Sequence, residues 1–124
     1  MVDQINKKIV LMVGSDSFLL KVYSEKLSKI DCDVKVANAI NQGLAKTKEF
    51  KPNLILLDLE DNLNFLQELK KVSVLNSIPV IILSNDSDRD SVQRCLKAGA
   101  TEYFIKTHVL PTEIVDKIKS FINN

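Results

Sequence analysis

Four uninterrupted apolar runs constrain this chain more than any other feature: Ile9–Val13, Leu54–Leu57, Val80–Leu83 and Tyr103–Ile105. A strand with one wet face alternates apolar and polar residues, whereas a strand covered on both faces of a parallel sheet is apolar throughout. A fifth run, Val34-Lys35-Val36, is shorter and alternates, which suits a sheet edge.

Between the runs lie helical spacings. Leu20, Tyr23, Leu27 and Ile30 recur at three- and four-residue steps, as do Ile114, Ile118, Phe121 and Ile122. Leu66, Leu69 and Val72 form a third stripe, and Val92, Cys95 and Leu96 a fourth, closed by Gly99 as a left-handed C-terminal cap. Ile40, Leu44 and Ala45 mark the remaining helix, with Gly43 inside it at a propensity cost of about 1 kcal/mol relative to alanine. Ser87-Asp88-Arg89-Asp90 resembles a capping box, and Pro111 suits a first helical turn. No repeat, linker or low-complexity stretch interrupts the pattern.

A (βα)5 string with right-handed crossovers and helices on both faces gives an α/β fold. The sheet is an open, doubly wound parallel one, in the order 2-1-3-4-5. That order makes strands one and three neighbours at the switch point, where a crevice opens beyond the carboxyl ends of the strands. Asp58 is the only charge at the end of its run, Ser84 follows the fourth run and Lys106 the fifth. Gly14-Ser15-Asp16 follows the first. Topology therefore predicts that Asp58, Ser84 and Lys106 converge at this crevice.

At 124 residues the chain is read as a single domain spanning 1–124, long enough to bury a real core. A net charge of +1, with lysines scattered among acids, leaves no basic face for nucleic acid. No apolar run approaches the length of a membrane span. Met1–Lys8 is polar and lacks the apolar centre of a signal peptide, so cytoplasmic residence is expected. Cys32 and Cys95 show no C-x-x-C spacing and read as reduced structural thiols. With His108 as the only histidine, a Ser-His-Asp triad or a transition-metal cluster has little to work with.

Across essentially its whole length the chain resembles a response-regulator receiver domain of the chemotaxis-Y type, which is flavodoxin-like. The resemblance is carried by Lys8–Val13, Lys51–Asp58, Ile78–Ser84 and Ala98–Lys106, in order and at nearly the family's spacing. It implies that Asp58 accepts a phosphoryl group from a histidine kinase or phosphotransfer protein. It further implies that Ser84 hydrogen-bonds the phosphoryl oxygens, that Lys106 pairs with the phosphate, and that Tyr103 is the switch aromatic. A carboxylate is a competent nucleophile toward phosphorus, and cations neutralise the charge that accumulates on the transferred oxygens.

Three departures accompany the matches. Gly14 and Ser15 stand where the family has two consecutive acids, with Asp16 one position late. Asp16 is readable either as a metal ligand or, with Ser17, as a helix N-cap. The loop after Asp58, Leu59–Asn64, is about four residues shorter than the family's and lacks its proline and glycine, which bears on the Glu60 backbone carbonyl, a family metal ligand. Thr107 replaces the proline after the lysine. Mg²⁺ would then have Asp58, Asp16 and the Glu60 carbonyl, and weak binding is expected.

The leading expectation is a single-domain response regulator, not an enzyme, with no effector domain after Asn124 and with output through a protein partner, using the fourth helix, fifth strand and fifth helix. The alternative is a pseudo-receiver that docks partners without phosphate, with Asp58 a structural acid paired to Lys106 and Ser84 merely ending a strand. A remote third reading, from Asp58-Leu59-Glu60, is a small phosphatase of the haloacid-dehalogenase type, which needs a second aspartate and usually a cap domain.

Overall fold

The structure, a computed structural model, describes residues 7–123. Met1–Asn6 and Asn124, on which the expectations of a leaderless start and an end without a further domain rest, lie outside the described residues. Five strands and five α-helices alternate: β1 (Lys8–Gly14), α1 (Ser17–Leu27), β2 (Cys32–Ala37), α2 (Ile40–Phe50), β3 (Leu54–Asp58), α3 (Asn62–Lys70), β4 (Val80–Ser84), α4 (Arg89–Lys97), β5 (Glu102–Ile105) and α5 (Pro111–Ile122). Single 3₁₀ turns occupy Ser73–Leu75 and Lys106–His108. All strand pairs are parallel, and the sheet order is β2-β1-β3-β4-β5, the flavodoxin-like arrangement the apolar runs predict.

Because successive residues of a strand face opposite sides, the sheet sorts its apolar residues into two layers. Val10, Met12, Leu54, Leu56, Ile81 and Leu83 pack with Tyr23 and Leu27 of α1 and Ile114 and Ile118 of α5. Leu11, Val13, Ile55, Leu57, Val80 and Ile82 pack with Phe65, Leu66 and Leu69 of α3 and Cys95 of α4. Each fully buried leucine or isoleucine contributes about 1.5–3 kcal/mol, so two such layers tolerate a buried carboxylate at their rim. By the same parity Asp58 lies on the α1/α5 side with Leu54 and Leu56. Cys32 and Cys95 are both free and buried, one in each layer.

Several local expectations are corrected. Ile30 and Val72 lie past the ends of α1 and α3, although both still pack on the core. Ala45 and Leu96 are exposed. The buried face of α2 is formed instead by Gly43 and Thr47, with Ile40 and Leu44 half-buried beside them. The cap of α4 is Asp88, not Ser87, its carboxylate accepting from the Ser91 N–H at 3.3 Å, so no capping box forms there. Glu113 closes the start of α5 by accepting from the Leu110 N–H at 2.8 Å, with Pro111 in the first turn. β5 is the second sheet edge and only half-buried, despite its continuous apolar run.

Gly99 carries φ of +113°, the left-handed cap the sequence predicts after α4. Gly43 answers a different need. A Cβ there would lie 2.7 Å from Val13 Cγ1 and 3.0 Å from Phe65 Cε2, so its absence lets α2 seat directly on β1. Among the described residues no helix is long and apolar enough to cross a membrane.

Candidate functional site

Asp58 is the last residue of β3, and the register sets it beside Gly14, the last residue of β1. Gly14 has no side chain to offer, and the Asp58 carboxylate sinks until the residue is 8% exposed. Lys106 leaves β5 in the 3₁₀ turn and places Nζ 2.6 Å from Asp58 Oδ1. Burial pushes the Asp58 carboxyl above the usual aspartate range, the Lys106 hydrogen bond and charge oppose that rise, and the nearby Asp16 charge adds to it. Next to it, the Ser15 N–H donates to the Asp58 carbonyl at 3.3 Å, tying the first loop to the third strand.

Asp16 caps α1. Its Oδ1 accepts from the Phe18 N–H at 3.1 Å and the Leu19 N–H at 3.2 Å, opening α1. It nevertheless lines the crevice, about 300 Å³ in volume, into which Asp58, Ser84 and Lys106 also face. The structure thus brings together the three residues singled out after the strands. Glu60 borders the same crevice from an exposed, short loop. That loop is held by Asn62, whose Oδ1 accepts from the Leu59 N–H at 2.8 Å, and by Asp61, which caps α3 by accepting from the Asn64 N–H at 3.1 Å.

Ser84 ends β4 and does more than terminate it. Its Oγ accepts from the Asp86 N–H at 3.0 Å, and the Asp86 carbonyl accepts from the Tyr103 hydroxyl at 2.7 Å. Tyr103 is thereby coupled to the crevice through one loop residue, and burial raises its phenol above the usual range. The exposed Asp86 carboxylate is held below the ordinary range by the Asp88 N–H at 2.9 Å and by Ser91. A second cavity of about 170 Å³ lies beside the crevice, with Ser84, Asp86 and Tyr103 on one wall and Arg94 and Cys95 on another.

Among the described residues there is no group of three His, Cys, Asp or Glu side chains able to hold a metal ion. The acid pair is Gly14-Ser15, Asp16 commits an oxygen to two backbone donors, and Lys106 occupies Asp58 Oδ1.

Two residues escaped the sequence reading. Asp86 sits in the polar run Asn85–Asp88, which reads as an ordinary loop, and only the fold shows that its backbone joins Ser84 to Tyr103. Tyr23 reads as one more core position of α1. It is the single phenol in that stripe, its pKa is pushed up to about 12 by burial and then by the Asp58 charge, and it lines a small recess beneath Asp58.

Residues 10–119 match the response regulator receiver domain, and the chain belongs to that family. The two-component response regulator ARR7 of Arabidopsis thaliana is 27% identical over 114 residues, covering 84% of this chain and 53% of its own. The chain therefore spans about half the length of the curated relatives it matches. The chemotaxis response regulator CheY4 of Vibrio cholerae shares the fold with a TM-score of 0.83 at 18% identity, covering 93% of this chain and 98% of its own. The Mn²⁺-bound form of the response regulator Rcp1 is 28% identical with a TM-score of 0.76, covering 92% of this chain and 93% of its own. Receiver domains are modules of two-component signalling and typically bind Mg²⁺.

Proposed function

We propose that this chain is a cytoplasmic response-regulator receiver that accepts a phosphoryl group on Asp58 and signals through protein contacts. The observation that carries this reading is the Lys106–Asp58 pair at 2.6 Å in a crevice at the carboxyl edge of the sheet. The partners are a sensor histidine kinase or phosphotransfer protein upstream and a protein effector downstream, with no nucleic acid or membrane involved.

In this mechanism an Asp58 carboxylate oxygen attacks the phosphorus of a phosphohistidine. The O–P bond forms as the N–P bond breaks, and the departing imidazole keeps the electron pair and takes up a proton. Lys106 supplies positive charge where charge builds on the transferred oxygens. Ser84 turns its hydroxyl from the Asp86 N–H toward a phosphoryl oxygen. The Asp86 loop then shifts, and with it the Tyr103 hydroxyl that the loop carbonyl holds. That couples Asp58 to the α4–β5–α5 face.

Intact mass after incubation with acetyl phosphate and Mg²⁺ tests this. A single phosphoryl adduct on the wild type, lost in Asp58→Asn, supports it; an unmodified wild type overturns it. The second reading, a pseudo-receiver that docks partners without phosphate, is favoured by Gly14-Ser15 in place of the acid pair. It predicts no adduct and a partner affinity unchanged by Asp58→Asn.

A further inference from the structure

The free edge of β2 lies at the opposite end of the sheet from β5, and the hydrogen bonds show which of its groups face outward. Ile9 donates its N–H to Asn53 Oδ1 and accepts from the Asn53 N–H, both at 2.8 Å, so its backbone faces β3. Backbone direction alternates along a strand, and Val10 and Met12 therefore face β2. In a parallel ladder such a residue bonds to the two neighbours of its partner, and the partner of Val10 is Val34. Asp33 and Lys35 thus turn their backbones inward to β1, while Cys32, Val34 and Val36 turn theirs outward. Two contacts agree with this. The Cys32 N–H donates to the Ile30 carbonyl at 2.8 Å, within the incoming loop. The Val36 carbonyl accepts from Lys46 Nζ of α2 at 2.5 Å. Val34, between them, has neither its N–H nor its carbonyl engaged among the described residues.

An open edge is a template for another strand, and lysines and charges are the usual means of blocking it. This edge is also self-complementary. About a two-fold axis at Val34, an antiparallel second β2 exchanges both hydrogen bonds between the two Val34 residues. The same axis sets Cys32 opposite Val36, and Asp33 of each copy opposite Lys35 of the other. Opposite charges directly across a strand pair stabilise it. Both charges stand within reach of a second copy: Lys35 Nζ lies 3.4 Å from Asp33 Oδ2, with the lysine side chain 30% and the aspartate 44% exposed. Lys35 is held there over the Phe50 ring, 4.6 Å from its centroid. What stands in the way is Lys46, whose ammonium fills the lane that a second strand, about 4.8 Å from the first, has to enter. We propose that the β2 edge is a self-association surface for a second copy of this chain, and that Lys46 latches it shut by holding the Val36 carbonyl. Withdrawing Lys46 frees the row, and the two edges join antiparallel into one continuous sheet.

The proposal is independent of whether Asp58 takes phosphate. Its test is Lys46→Met, which keeps most of the aliphatic stem and removes the donor. Sedimentation equilibrium of the full chain across a concentration series reads the outcome. The variant should dimerise at a concentration at least about ten-fold lower than wild type, the scale of one ordinary hydrogen bond released in each copy. Lys46→Ala should give the same order and serves where methionine perturbs the fold. Adding Lys35→Asp puts like charges opposite each other across the axis and should return the protein to monomer. Adding Asp33→Lys as well restores opposite charges and should restore the dimer, a rescue that only the antiparallel register about Val34 explains. Latch variants that self-associate no more readily than wild type overturn the proposal. A dimer indifferent to Lys35→Asp overturns it too, because its contact then lies on another surface.

Discussion

Lys106 Nζ lies 2.6 Å from Asp58 Oδ1, yet burial still holds the Asp58 carboxyl above its ordinary range. The pair is therefore a means of keeping a charge where solvation disfavours it, and its two members are not equivalent. The lysine side chain is 22% exposed against 11% for the aspartate. Removing the lysine strands a buried anion, whereas removing the carboxylate leaves a cation with a path to water.

Lys106→Met should consequently destabilise the fold at pH 7. A fully buried pair loses roughly 3–5 kcal/mol when one partner is removed, and partial exposure here reduces that to about 1–3 kcal/mol. The loss should shrink in acid, once Asp58 is protonated and no longer needs a cation. Urea denaturation of wild type and variant at pH 7 and in acid measures both. An equal loss at the two pH values would show that the aliphatic stem of Lys106, and not its charge, is what stabilises the fold.

Asp58→Asn should do the opposite and stabilise the protein at neutral pH. Below the unfolded-state pKa of the aspartate both states hold the proton. Between the unfolded value and the raised folded value the native state alone holds it, so stability falls as pH rises through that window. Above the folded value the full penalty stands, and asparagine is free of it. The Tm difference between variant and wild type should be greatest near neutrality and should close as pH drops below both values. A variant less stable than wild type at pH 7 would mean that the Lys106 contact outweighs the burial cost.

Gly43→Ala separates local propensity from packing. Alanine gains about 1 kcal/mol over glycine in a helix interior. A Cβ at this position would, however, meet Val13 Cγ1 at 2.7 Å and Phe65 Cε2 at 3.0 Å, inside a core without slack. Overpacking costs about 1–3 kcal/mol, so the net effect should be a loss of up to about 2 kcal/mol. Chemical denaturation reads the sign directly: a stabilised variant would show that α2 can lift off the sheet at little cost.

Gly43 also marks where the sequence stopped being legible. Its helical neighbours Ile40 and Leu44 predict α2, but a propensity penalty is all that the glycine shows until Val13 and Phe65 are placed around it. The strands were readable because apolar continuity is a property of each run alone, and Asp58, Ser84 and Lys106 followed because a parallel sheet brings strand ends to one edge. β5 was legible only in part: the predicted order already makes it an edge, but the continuous run Tyr103-Phe104-Ile105 reads as fully covered, and the strand is only half-buried. The contacts through Asp86 and Tyr23 stayed hidden because they depend on a backbone carbonyl and on a core recess, neither of which leaves a residue pattern.

The metal prediction follows from the two positions beside Asp58. Gly14 is buried, and a Cβ there would lie 3.1 Å from the Asp58 carbonyl oxygen and 3.3 Å from Asp58 Cβ, so Gly14→Asp must displace backbone and should cost stability. Ser15 is exposed, lines the crevice and is tied to Asp58 through its N–H. Ser15→Asp should therefore fold normally and add one negative charge where the donors are deficient. A carboxylate a few ångströms from a divalent ion in a partly wet site supports a gain of about ten-fold in Mg²⁺ affinity, about 1.4 kcal/mol. Wild type should bind Mg²⁺ weakly, Ser15→Asp more tightly, and Gly14→Asp should lose Tm without a matching gain. Calorimetric or NMR titration of the three proteins checks the order. If wild type already binds as tightly as Ser15→Asp, then Asp16 or the Glu60 carbonyl has replaced the missing pair, and the pseudo-receiver reading loses the observation that favours it.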